Sequence, residues 1–383
     1  MNCLSSIIEG VNMYFFNNGE DAFDYLIDHV ILKAKKNIKI QMFIWRDDQI
    51  GKVIANALIK AANQGVKVYI NKDLLGAIFE IAEENRKSLF HKYIPWYLKI
   101  KGFLMDKFYP MEGKPKHWHF GNMAYIMKFK EHKNIFFQGN RILKNHSKYL
   151  IVDDEIFVVS GMNFEQKEYT YDLLNRKYYD FMFIIKSKKL VSDFLEKKDN
   201  ITFDLLQPSK KINIFRNITT SFNVKKGLLN CILQGKKEID VIMAYWDFNE
   251  IVDLLIKQCK QGIKLNIYLP KCANIQNDLN FKVLNKIYRS TNGEVNIFLC
   301  SEMIHGKLIL IDKNYLIFGS ANFNSAGLDA MLETNIGLFS KEYALNNSIV
   351  QTINKIKESS SLVEQLGDIK YNPFKALIES LLS

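Results

Sequence analysis

Apolar positions along the chain follow two rhythms, and the order of those rhythms occurs twice. The runs from Lys36 to Trp45 and from Lys237 to Trp246 are alternating or continuous in apolar residues and end in Trp, the pattern of a mostly buried strand. A helical spacing follows each: Val53, Ile54, Ala57, Leu58 and Ala61 in the first, Ile251, Leu254, Leu255 and Cys259 in the second. The helices stop at Gln64-Gly65 and Gln261-Gly262, where glycine accepts the left-handed backbone that ends a helix. Val66 to Ile70 and Ile263 to Leu269 then read as the next strands. Strand, helix and parallel strand form a βαβ unit. Its double occurrence predicts an α/β protein of two similar lobes, each a mixed, mostly parallel sheet flanked by helices, related by a pseudo-twofold axis.

The spacing between the copies locates what was added. Trp45 and Trp246 lie 201 residues apart, Gly65 and Gly262 197, but His146 and His305 only 159. The first copy therefore carries 197 minus 159, or 38, extra residues, within about 74–134. That insertion interleaves Phe90, Tyr93, Trp96, Tyr97, Phe103, Phe108 and Trp118 with Lys92, Lys99, Lys101, Lys107, Lys114 and Lys116. Bases mixed with interfacial aromatics suit a lipid headgroup surface, and equally an ordinary helical lid. The expected organisation is a first lobe over 1–190, a linker over 191–225, a second lobe over 226–345 and a C-terminal helical tail over 346–383. In the tail, Phe374, Leu377, Ile378, Leu381 and Leu382 share one helical face, to dock on the fold or to lie on a bilayer.

The strongest chemical signal is also duplicated. His146-Ser-Lys148 with Asp153, and His305-Gly-Lys307 with Asp312, are two H-x-K-x4-D sequences; Asn163 and Asn322 each stand 17 residues after their histidine. Four specified positions arise by chance on the order of once in several hundred chains of this length, and a second copy removes coincidence. Alternation predicts that His and Lys share one strand face, with small residues between them and near each Asn. Lobes packed about a twofold would place two imidazoles, two ammonium groups and two carboxamides in one cleft. Such a cleft complements a phosphodiester: cations and amides meet its oxygens, one histidine attacks phosphorus, and the other moves protons. No cofactor or metal is called for. Each imidazole needs an orienting carboxylate: Glu333 is the choice for His305, and Asp180, ahead of Asp172, for His146. Asp153 and Asp312 fall on the opposite strand face and read more as anchors than as chemical groups. His117, His119 and His132 have no Cys or carboxylate at ligand spacing to complete a zinc site.

Composition narrows the setting. The 383 residues are 48% hydrophobic and 24% charged, which excludes disorder as the main theme. Five cysteines, never in C-x-x-C spacing, argue against a disulfide framework and for a reducing compartment. The net charge of +11 points to an anionic partner. Its basic residues are mostly lysine, which favours phosphate or membrane over base reading. No run of apolar residues reaches the roughly 18 that a membrane span needs, and nothing near Met1 reads as a signal peptide.

These motifs resemble the phospholipase D superfamily. Asn18-Gly-Glu20, Phe43-Ile-Trp45, Asp48, Gly51, Gln64-Gly-Val-Lys67, Ser320-Ala-Asn322 and Glu333-Thr-Asn335 are similar to the bacterial cardiolipin synthases, in particular the type without N-terminal transmembrane helices. The resemblance runs from about Asn17 to about Ser340. It implies two phospholipase D-like lobes and transfer of a phosphatidyl group through a phosphatidyl-histidine, with His146 as nucleophile and His305 as acid/base. It further implies phospholipid substrates similar to phosphatidylglycerol, an anionic membrane surface as partner, and a peripheral cytoplasmic location. With both half-sites in one chain a monomer is expected, and nucleic acid is disfavoured. Hydrolysis by a phospholipase D is the alternative, and a metal-independent nuclease a more distant one. A dead scaffold is disfavoured because all eight His, Lys, Asp and Asn positions are intact. Ser160-Gly161 departs from the family's usual Gly-Gly or Gly-Ser.

Overall fold

The computed structural model describes residues 4–8, 11–84, 94–109, 127, 129–139, 141–196, 212–219, 221–339 and 345–382. The chain divides into two compact units: Phe16–Ser192 with Met1–Cys3, and Asp193–Ser383 with Leu4–Phe15.

In the first unit, β1 (Asn37–Met42), α1 (Gln49–Asn63) and β2 (Lys67–Lys72) form the expected βαβ turn, with Ile38 paired in parallel to Val68. The apolar stripe of α1, including Ile54, Leu58 and Ala61, is buried. Asp48 caps the helix by accepting from Gly51 N–H at 2.9 Å, and Gly65 leaves it at φ 96°. Next come α2 (Ala77–Glu84), α3 (Trp96–Phe108), β3 (Ile135–Gln138), β4 (Tyr149–Val152), β5 (Ile156–Ser160) and β6 (Met182–Lys186). The strands lie in the order β6-β5-β4-β1-β2-β3. The described parts of the 74–134 insertion are largely helical: Ile78, Ile81, Ile94 and Leu98 form a small separate core between α2 and α3.

The second unit repeats the plan. Its strands are β7 (Ile212–Ile218), β8 (Glu238–Met243), β9 (Lys264–Pro270), β10 (Asn296–Cys300), β11 (Lys307–Ile311), β12 (Tyr315–Gly319) and β13 (Thr334–Phe339). The order β13-β12-β11-β8-β9-β10 matches the first unit strand for strand, and β7 lies beside β13. α4 (Glu250–Lys260) stands where α1 does, capped by Asn249 and ended by Gly262 at φ 89°. Ile239, Val241, Leu255, Ile267 and Leu284 belong to the core of this unit.

Both sheets are mixed rather than mostly parallel. Parallel pairing is confined to β1-β2-β3 and β8-β9-β10; β1 with β4, β4 with β5 and β5 with β6 are antiparallel, as are their counterparts. For β4 with β5 and β11 with β12 the reason is local. Asp153-Asp154 and Asp312-Lys313 hold φ between 52° and 55°, and two successive left-handed residues make the tight turn that folds one strand back along the next. The stretches expected as linker and as helical tail each also contribute a strand. β7, within 191–225, pairs with β13 (Ile212 opposite Leu338), and β14 (Ser360–Leu362), within the tail, pairs with β10. The tail ends in α5 (Pro373–Leu382), which docks through Ala376 and Glu379 while Phe374, Leu377 and Leu381 stay exposed. Its apolar face is thus not the docked one.

Candidate active site

In each unit the motif lies where the segment before a central strand meets the end of the Trp-bearing strand. His146-Ser147-Lys148 precedes β4, and Lys307 is the first residue of β11. The motif therefore lies just ahead of the strand. Lys148 curls back so that Nζ donates to the carbonyl oxygen of His146 at 2.7 Å, and Lys307 donates to the carbonyl of His305 in the same way. Both lysines are buried, His305 is buried, and His146 is half-buried. The His146 ring stands edge-to-face on Phe43, with centroids 4.7 Å apart, and Lys148 Nζ lies 5.4 Å from the same ring. Tyr245 takes a similar place against His305 at 6.2 Å, and its hydroxyl donates to Asn274.

The approach to His146 hangs on Asp73. Its carboxylate accepts from the N–H groups of Leu75 (2.8 Å), Leu143 (3.2 Å) and Asn145 (2.6 Å), and Asn145 Oδ1 accepts from Ser147 N–H at 3.1 Å. Burial pushes the Asp73 pKa up against those hydrogen bonds. Beside it Lys72 is fully buried; burial lowers its pKa, opposed by Glu80 at 2.7 Å. Sequence reading missed Asp73, Phe43 and Tyr245. A polar residue directly after a buried strand is the faint signal for Asp73; the aromatics looked like core.

Asn163 is buried, accepts from Ile44 N–H at 3.2 Å through Oδ1, and donates from Nδ2 to Glu165 at 3.3 Å. The next residue ties the loop down: Phe164 bridges to Trp45, and Phe323 bridges to Trp246. Both tryptophans are fully buried, so they are core at the strand ends. Asn322 is buried too, but its Oδ1 has no hydrogen-bond partner among the described residues. A buried, unsatisfied carbonyl is available to a donor on a ligand.

Asp153 and Asp312 sit at the far ends of their strands, roughly 16 Å along the chain from their lysines. Asp153 accepts from the N–H groups of Lys35 (2.8 Å), Lys36 (2.6 Å) and Asn37 (3.1 Å). Asp312 does the same for Lys236 (3.0 Å), Lys237 (2.7 Å) and Glu238 (3.0 Å). These contacts clamp the starts of β1 and β8, and place both aspartates in the scaffold rather than among the reacting groups.

The two carboxylates chosen as imidazole partners are deeply buried. Asp180 accepts from Phe181 N–H at 2.7 Å; a Cβ on Gly161 would lie 2.3 Å from its Oδ1, so glycine there is what lets the carboxylate sit where it does. Glu333 accepts from the hydroxyl of Ser320, which in turn accepts from Thr334 N–H at 3.1 Å. The departure at Ser160-Gly161 thus has a place: Ser160 Oγ accepts from Met162 N–H at 2.9 Å and donates to Phe181 O at 3.0 Å. Of the residues considered for zinc, His117 and His119 lie outside the described residues. His132 Nε2 meets Asn63 at 3.0 Å, and its Nδ1 accepts from Asn134 N–H at 3.2 Å.

The family described as cardiolipin synthase, PLD-like domain, matches residues 27–201 and 228–357, so one match falls on each duplicated half. The chain belongs to this family. It is an enzyme of the phospholipid phosphatidyltransferase class. The cardiolipin synthase of Oceanobacillus iheyensis is 25% identical over 371 residues, covering 92% of this chain and 70% of that protein. The major cardiolipin synthase ClsA of Bacillus subtilis is 23% identical, covering 88% and 68%. Among solved structures, phosphatidylserine synthase of Haemophilus influenzae shares the fold with a TM-score of 0.68 at 13% identity, covering 99% of this chain and 93% of that one. No helix among the described residues is long and apolar enough to cross a membrane.

Proposed function

We propose that the protein transfers a phosphatidyl group from one phospholipid to an alcohol acceptor, as a cardiolipin synthase does with a second phosphatidylglycerol, and that its two half-sites act on one phosphodiester. The observation that carries this reading is the repeated unit of a motif histidine whose carbonyl holds a buried lysine ammonium. Each half supplies one imidazole and one cation, and the chemistry needs two of each.

In the first step a His146 ring nitrogen attacks phosphorus, the bond from phosphorus to the headgroup oxygen breaks, and the imidazolium of His305 gives its proton to that oxygen. In the second, the acceptor hydroxyl gives its proton to neutral His305 and its oxygen attacks phosphorus. The phosphorus–nitrogen bond then breaks and His146 is regenerated. Lys148 and Lys307 face the non-bridging oxygens, where negative charge accumulates. Asn163 and Asn322 assist at the same group, and Asp180 and Glu333 hold the imidazoles in their working tautomers. This scheme needs no metal. A peripheral position at the cytoplasmic face of a membrane and action as a monomer complete the proposal; Cys231, Cys259, Cys272 and Cys300 are free thiols, which suits a reducing compartment.

Incubation with phosphatidylglycerol and ethanol in EDTA, resolved by thin-layer chromatography, tests it. Transphosphatidylation products or cardiolipin are expected. Phosphatidic acid alone would replace transfer by hydrolysis, and nucleic-acid cleavage without lipid turnover would overturn both lipid readings.

A further inference from the structure

The helix α3 is apolar on two opposite faces, and among the described residues one of them packs inside the protein while the other is exposed. Leu98 and Gly102 are buried and Met105 packs beside them, forming the seam against Ile78 and Ile81 of α2. The seam is close: a Cβ on Gly102 would meet the Ile81 side chain at 3.0 Å. At about 100° per residue, Trp96, Ile100, Phe103 and Leu104 fall within a sector of roughly 100° on the other side. Trp96 is 69% exposed, Phe103 57% and Leu104 56%. Lys99 and Lys101 are exposed and flank that sector on its two edges; Lys107 falls within it, 5.5 Å over the Phe103 ring, where its long stem can carry the ammonium outward to headgroup level. Three lysines stand against one acid, Asp106, on the helix.

We propose that the outer face of α3 is an in-plane anchor on an anionic phospholipid bilayer. An apolar stripe with Trp and Phe, bordered by lysines, matches the layered polarity of a membrane interface: rings and aliphatic groups enter the acyl boundary while the ammonium groups reach the phosphates. The charge selects the occupant, since a positively bordered apolar stripe complements anionic headgroups. The docked seam fixes the helix to α2, so binding pays no cost of folding the helix at the surface. The inference rests on the lipid-substrate reading above but is tested separately from it.

The full-length protein is sedimented with vesicles of equal phosphatidylglycerol and phosphatidylcholine, and with phosphatidylcholine vesicles alone. Wild type should bind the anionic vesicles, and the combined Trp96→Ser, Phe103→Ser, Leu104→Ser variant should bind them at least about tenfold more weakly. The Lys99→Glu, Lys101→Glu variant should lose the preference for phosphatidylglycerol. Both should keep the wild-type melting temperature and the wild-type turnover of short-chain phosphatidylglycerol dispersed as monomers. Unchanged vesicle binding by the apolar variant overturns the anchor. So does a wild-type dimer that the same substitutions dissolve without any effect on vesicles, because α3 is then a contact between copies. Vesicle binding that depends on α3 in a protein that turns over no phospholipid supports the anchor and overturns the transfer reading.

Discussion

Lys148 Nζ donates to the carbonyl oxygen of its own motif histidine, His146, at 2.7 Å, and Lys307 repeats the relationship with His305. A lysine two residues after the histidine is the right length to curl back on it, which gives the fixed x in H-x-K a physical reason. A carbonyl orients the ammonium without itself carrying a charge that would neutralise it, so this contact leaves the cation able to act on a bound phosphate. Replacing Lys148 or Lys307 by Met should therefore lower the single-turnover rate about 10²–10³-fold, the usual cost of losing one donor to transition-state charge. Rapid-quench measurement of phosphohistidine formation checks this, and a rate within a few-fold of wild type would remove the lysines from the chemistry.

Asp153 belongs to the same motif but should behave differently. Its carboxylate satisfies the N–H groups of Lys35, Lys36 and Asn37, and Asp312 satisfies those of Lys236, Lys237 and Glu238. Asp153→Ala or Asp312→Ala leaves those donors without an acceptor and should cost roughly 2–3 kcal/mol of stability. The turnover of the molecules that remain folded should be near normal. Urea denaturation together with kcat normalised to titrated active sites separates the two effects. His146→Ala should give the opposite pattern, with unchanged stability and no turnover.

That contrast marks how far sequence carries. Duplication and the βαβ order were legible because the same rhythm occurs twice, and the eight motif positions because their four pairs share one offset of 159 residues; repetition distinguishes pattern from chance. The antiparallel half of each sheet was not, because its hairpins turn at Asp153-Asp154 and Asp312-Lys313, where non-glycine residues take positive φ without announcing it, and its other pairings join segments distant in the chain. β7 was missed because Asn213, Arg216 and Asn217 are buried polar residues that break its apolar pattern. The roles of Phe43, Asp73 and Tyr245 depend on contacts between segments far apart in the chain, which periodicity does not encode.

Gly161 offers a test of the buried carboxylates. A methyl group there would lie 2.3 Å from Asp180 Oδ1, so Gly161→Ala must displace the carboxylate. At the matching position Ser320 donates to Glu333, and Ser320→Ala removes that donor. If these carboxylates orient imidazoles, both changes should lower kcat by about tenfold or more and move a limb of the pH–rate profile. A fall in melting temperature with an unmoved pH profile would assign both residues to the scaffold alone. The profile of Asp180→Asn against that of Glu333→Gln would also show which histidine each carboxylate serves.

Asp240 gives the protein a pH dependence unrelated to catalysis. It lies on β8, accepts from Asn266 Nδ2 at 2.9 Å and from the Tyr268 hydroxyl at 3.2 Å, and burial raises its pKa from 3.8 to about 6. Glu238 pushes in the same direction, while Asn266, Tyr268 and Lys264 oppose it. Because the folded state holds the proton more tightly than the unfolded chain, this group's contribution is fully present below about 4 and is lost as the pH rises through about 6. The difference is on the order of 3 kcal/mol at most, so the folded protein at neutral pH carries a charged, buried carboxylate that weakens it. Asp240→Asn keeps an acceptor for Tyr268 and cannot ionise. Between pH 4 and 7 the wild type should therefore lose stability relative to Asp240→Asn, and the variant should be the more stable protein above pH 7. Urea midpoints measured for both at intervals across that range check the sign; parallel curves would mean that Asp240 ionises as freely in the fold as in the unfolded chain.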